Sequence, residues 1–148
     1  MIIRPLAPAD HAEWLRMRVQ LWPDSAGDPP ELLREYSGGS ANRAVLVAPR
    51  DGGGLRGFIE LSLREYADGC DSSPVGYIEG WWVDADSRGA GVGRALVAAG
   101  EEWARARGCV EMASDTEVEN VASQRAHVAL GYRETERLVI FARRLTRA

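Results

Sequence analysis

The chain has 148 residues, of which 45% are hydrophobic, and a formal net charge of −4. That length suits one globular domain spanning 1–148, and the negative balance argues against nucleic acid, which is bound through basic patches that neutralise phosphates. All 18 basic residues are arginines, so the chain has no lysine to form a Schiff base or to serve a Walker-type phosphate loop. A cationic small molecule is the easier partner. No apolar run of about 18 residues marks a membrane span, and the opening MIIRPLAPADHAEW lacks the layout of a secretory signal, so a cytoplasmic protein is expected. Cys70 and Cys109 are too few for a disulfide framework and lack metal-ligand spacing; they are expected to be reduced packing residues, with no metal site.

Residues 2 to 4 suit a short opening strand. Asp10 is placed to cap a helix carrying Trp14, Leu15, Val19 and Trp22 on one face, which Pro23 ends. Pro30 opens a second helix to about Tyr36, closed by Gly38 and Gly39. Strands are expected at 44 to 48 and 57 to 66 around the turn RDGGG, and then, after the loop YADGCDSSP, at 75 to 83. Val92, Leu96, Ala99 and Trp103 fall at helical spacing up to Gly108. A short strand at 110 to 114, a helix led by Asn120 and reaching Leu130, and a final pair of strand-like stretches in 132 to 144 complete an α/β chain.

The segment EGWWVDADSRGAGVGR, residues 79 to 94, puts a glycine-rich turn between a strand and a helix. Such a turn suits a phosphate, because free amides and the positive end of the helix dipole converge there. The Walker pattern fails for want of lysine, and the dinucleotide fingerprint fails because GAGVG lies past the middle of the chain. The loop instead resembles the acetyl-CoA loop of the GNAT N-acyltransferases, pattern [QR]-x-x-G-x-[GA], and that superfamily's later Asn-led helix and "GY" strand start match Asn120, Gly131 and Tyr132. The resemblance implies the GNAT fold, a mixed central sheet with splayed central strands flanked by helices, with acetyl-CoA as cosubstrate. It also implies that the backbone of Trp81, Trp82 and Val83 pairs with pantetheine. The pyrophosphate would then rest on Gly89, Ala90, Gly91, Val92, Gly93 and Arg94, with the Arg88 and Arg94 side chains adding charge and Asn120 contacting the coenzyme.

Acetyl transfer needs a neutral amine, and a carboxylate near the acceptor both attracts the ammonium and takes its proton. Glu79, four residues before Val83, is the leading base, and Asp115 follows the short strand's exit. More acids gather at Glu111, Glu117, Glu119, Glu134 and Glu136. A closer resemblance, to the aminoglycoside 6'-N-acetyltransferases, rests on QLWP at the first helix, YADGCDSSPV, EMASD and ETER, in that order. It implies acetylation of the drug's 6'-amine by direct attack in a ternary complex, antibiotic resistance, and a homodimer. The implied substrate contacts fall on Trp22, Tyr66, Glu79, Asp115 and Glu136. Where many superfamily members carry a tyrosine as the acid that protonates the leaving thiolate, this chain has His127. Acceptors of another kind (a polyamine, peptide or metabolite amine) and a non-catalytic acetyl-CoA-binding module stay open as alternatives.

Overall fold

In the computed structural model, which describes residues 1–147, the apolar runs between Arg43 and Val83 become the three long strands of one sheet. β1 (Arg4–Pro5), β2 (Arg43–Pro49), β3 (Leu55–Arg64), β4 (Val75–Val83) and β5 (Met112–Ser114) lie side by side in chain order. Three junctions are antiparallel and the last, β4 with β5, is parallel, so the sheet is mixed. The helices are α1 (His11–Leu21), α2 (Pro30–Arg34), α3 (Val92–Arg105) and α4 (Val121–Ala129). Met1–Asp115 forms one compact unit, and a second begins at Thr116. No helix among the described residues is long and apolar enough to cross a membrane.

Successive side chains of a strand point to opposite faces. From β3, Phe58 packs in a cluster with Trp14 and Met17 of α1, Tyr36, Val45, Val47 and Leu55. Ile59 and Leu61 point the other way, to Gly100 of α3, whose buried stripe is Val92, Leu96, Val97, Gly100 and Ala104.

Three expectations need correction. The buried side of α1 is Trp14, Met17 and Arg18, while Leu15 and Val19 are each 38% exposed, because Arg18 turns inward to a buried carboxylate. Asp10 does not cap α1 with its side chain. A 3-10 turn over Pro8–Asp10 precedes the helix, and the Asp10 carboxylate reaches back to the Ala7 N–H at 2.8 Å and to Arg4 at 2.6 Å. The strands expected in 132–144 do not form: residues 132–147 have no regular structure. An apolar, β-prone run becomes a strand only where a neighbour completes its ladder, and no strand of the described residues pairs with this one.

Candidate active site

The register of β3 on β4 decides where the acids point. Leu61 pairs with Ile78 and Glu60 with Gly80, which leaves Glu79 as an extra residue on β4, a β-bulge. The bulge puts two consecutive residues on the α1 face of the sheet. Glu79 accepts the Ser62 hydroxyl there at 2.5 Å, and Gly80 lies under the indole of Trp22. A Cβ at Gly80 would stand 2.2 Å from the Trp22 ring, so only glycine admits it. Past the bulge the parity is reversed: Trp82 packs with the α1 cluster and Trp81 turns to the far face, with its ring against Gly93.

Around Glu79 the strands build a polar wall. Arg64 donates to both of its oxygens, at 2.8 and 3.0 Å, and lies 3.5 Å above the ring of Tyr77, whose hydroxyl donates to Asp115. Burial and the adjacent Asp115 carboxylate push the Tyr77 phenol up, so it stays a hydrogen-bond donor. Glu79, Ser62 and Arg64 line a cavity of about 570 Å³ together with Glu35, Ser40, Asn42 and Arg43. Tyr66 lies beyond the end of β3, 70% exposed, with its hydroxyl on Asp68 at 2.9 Å. Glu111 is committed elsewhere, accepting the Asp71 and Ser72 N–H groups at 2.9 and 2.8 Å and so pinning the CDSSP loop.

Trp22 is held from behind. The Arg18 guanidinium lies 5.0 Å from its ring and 5.5 Å from that of Trp14, and is itself bound to Glu60 at 2.5 Å and Asp28 at 2.6 Å. The Trp14 indole N–H gives Glu60 a further bond at 3.0 Å. Burial pushes the Glu60 carboxyl up, against the pull of Arg18 and Trp14. Sequence reasoning missed this group and the Ser62–Arg64 pair. The signal was available: in ELSLR, Glu60, Ser62 and Arg64 alternate with leucines, which marks one polar face on an otherwise apolar strand.

On the coenzyme side, β4 pairs with β5 only from Gly76 to Ile78, so residues 79 to 83 have no strand neighbour on that edge among the described residues. The turn that follows carries positive φ at Gly89 (+79°) and Gly91 (+84°), with open space beside both, and Gly91 is the N-cap of α3. Ala95 is the first residue of α3 whose N–H finds an acceptor within the helix, Gly91 O at 3.0 Å, which leaves the amides of Val92, Gly93 and Arg94 without an intrahelical partner. Open glycines, first-turn amides and an unpaired strand edge fit a pantetheine pyrophosphate. Arg88 folds back instead of reaching along the turn: its Nε donates to Val83 O at 2.9 Å and its guanidinium lies 4.8 Å from the Trp82 ring.

In the second unit, Asn120 caps α4, its Oδ1 accepting the Ser123 N–H at 3.1 Å. His127 makes a 2.7 Å contact from Nδ1 to the Ser123 carbonyl, which can only accept, so Nδ1 carries a proton. Glu136 is exposed in the irregular segment. Both cysteines are free thiols, pushed up by burial, and no cluster of possible metal ligands occurs among the described residues.

A mixed sheet whose β4 has no strand neighbour on one edge after Ile78, followed by a glycine turn that opens a helix, has the architecture of a coenzyme A-dependent acyltransferase. The profile of the Acetyltransferase (GNAT) family matches residues 10–132, and the chain belongs to that family. Among its relatives, an aminoglycoside N(6')-acetyltransferase type 1 of Stenotrophomonas maltophilia is 49% identical over 94% of this chain and 90% of its own length. Its counterpart in Klebsiella aerogenes is 44% identical over 97% of each. Of solved structures, AAC(6')-Iy in complex with the bisubstrate analog CoA-S-monomethyl-acetylneamine superposes with a TM-score of 0.86 at 39% identity, covering 97% of this chain and 98% of that one. The apo 6'-N-acetyltransferase AAC(6')-IG from Acinetobacter haemolyticus gives 0.90 at 33% identity over 99% and 100%.

Proposed function

We propose that the protein transfers acetyl from acetyl-CoA to the 6'-amine of aminoglycoside antibiotics, by direct attack in a ternary complex, and so confers resistance. The observation that carries this reading is the bulge. It turns Glu79 into a polar cavity at the point where the edge of β4 loses its partner, so an acceptor amine on Glu79 stands next to a thioester laid along residues 81 to 83. The names of relatives aligned over nearly the whole chain support the same substrate.

Acetyl-CoA supplies the activated acetyl group, and the protein binds, orients and moves a proton. The amides of Gly89 to Arg94 receive the pyrophosphate and the backbone of Trp81 to Val83 aligns the pantetheine. Asp115 and Glu136 take further ammonium groups, while Trp22 and Tyr66 cover sugar rings. Glu79 accepts the proton of the reacting ammonium, directly or through water; the amine nitrogen bonds to the acetyl carbon, the carbon–sulfur bond breaks and the thiol leaves. Asn120 contacts the coenzyme, and His127 protonates the leaving sulfur. All of 1–148 acts as one acyltransferase domain. The protein works as a homodimer, a reading supported by the apolar side chains of Leu138, Val139, Ile140 and Phe141, which are 55% to 89% exposed in a single copy.

The test is acetyl-CoA-dependent thiol release over an aminoglycoside panel that includes a drug with a hydroxyl in place of the 6'-amine. Turnover confined to 6'-amino drugs is expected, and equal turnover of the hydroxyl drug overturns the assignment. Binding of acetyl-CoA without turnover of any amine marks a coenzyme-binding module.

A further inference from the structure

The carboxylate assigned to the acceptor already holds a cation. Arg64 makes a two-pronged pair with Glu79, and the Ser62 hydroxyl takes a further lone pair at 2.5 Å. A guanidinium does not give up its proton near neutrality, so Arg64 can neither relay the substrate's proton nor share Glu79 with a second cation at full strength. Either Glu79 is only a structural partner, or Arg64 leaves it when the acceptor arrives.

The surroundings favour departure. Arg64 is the last residue of β3 and its side chain is 41% exposed, against 20% for Glu79, so it stands at the open rim while the carboxylate sits deeper. Its guanidinium rests on the face of Tyr77, and the Asp115 carboxylate, to which Tyr77 donates, adds to the field upon it. The arginine can swing off Glu79 and keep both its aromatic support and a nearby negative charge.

We infer that Arg64 is a resident counter-cation: it occupies the ammonium position on Glu79 in the free protein and is displaced, charge for charge, by the acceptor. This rests on the proposed acetyl transfer to a cationic amine. Removing Arg64 then tightens acceptor binding. A clamp that merely orients Glu79 gives the opposite sign.

The experiment is steady-state kinetics with a 6'-amino aminoglycoside at saturating acetyl-CoA, on the wild type, Arg64→Gln, Glu79→Gln and the double variant. Arg64→Gln is expected to lower the acceptor KM about fivefold, the scale of a partly exposed ion pair, and to leave the acetyl-CoA KM unmoved. In the Glu79→Gln background the same change no longer lowers it. An acceptor KM that rises or stays constant in Arg64→Gln overturns the proposal. If the Gln variant does not fold, Arg64→Lys keeps the charge but loses the fork; a smaller fall in KM is expected and a rise overturns it. A wild type that releases no thiol with any aminoglycoside defeats the acetyl-transfer reading by itself, and that result is read on the wild type alone.

Discussion

At the scale of single residues the site turns on Gly80. Its missing Cβ lets the Trp22 indole lie on the strand beside Glu79, and the ring is stiffened by Arg18, which Glu60 and Asp28 hold in turn. Gly80→Ala forces a 2.2 Å clash onto Trp22 and so moves the indole proposed to cover the acceptor's sugar rings, while leaving the glycine turn proposed for the coenzyme alone. The expected result is an acceptor KM raised by about tenfold, equivalent to roughly 1.4 kcal/mol, with the acetyl-CoA KM within error of wild type. Isothermal titration with each substrate separates the two, and equal loss for both removes Trp22 from the acceptor side. Glu79 was legible in the sequence as an acid on the strand that becomes β4. Its aim was not, because the alternation of VGYIEGWWV gives no warning that one residue is extra.

At the scale of elements, α4 depends on its cap. The helix has no buried residue, so packing contributes little, and the Asn120 side chain satisfies the Ser123 amide that would otherwise be left free. Asn120→Ala is expected to lower stability by about 1 kcal/mol, the usual value of an N-cap. Asn120→Asp keeps an accepting oxygen and is expected to retain the wild-type Tm. That variant divides the two roles assigned to Asn120. If its side chain also meets the coenzyme, the added negative charge raises the acetyl-CoA KM several-fold at unchanged Tm; if neither quantity moves, the residue is a cap alone. The start of this helix was readable from Asn120 because capping is a local event. The strands expected after it were not, since a strand requires a partner that its own residues do not name.

At the scale of the molecule, Asp84 ties distant parts of the first unit together. Following the end of β4, it accepts Arg16 of α1 at 2.8 Å, Arg50 of the turn after β2 at 3.2 Å, and the Trp82 indole at 3.0 Å. Burial works to raise the Asp84 carboxyl, but Arg16, Trp82 and Arg50 outweigh it and hold it below its ordinary value. A group lowered on folding contributes stability that is complete above its unfolded pKa, about 4, and is lost as pH falls through the folded value. Thermal melts from pH 7 to pH 3 are therefore expected to show Asp84→Asn less stable than wild type above about pH 5, with the gap closing in acid. A gap independent of pH excludes the linkage. By itself the sequence determined the order of the main strands and helices as far as α4, the glycine turn at residues 89 to 93 and the acids available for an amine, because periodicity, caps and turn residues act over a few neighbours. Only the tertiary structure decided that β4 carries a bulge at Glu79, that Arg64 already occupies that carboxylate, that Arg18 is buried and that residues 132–147 stay without a ladder. Each of those depends on register and pairing between segments far apart in the chain, and such pairings are settled by the whole sheet at once.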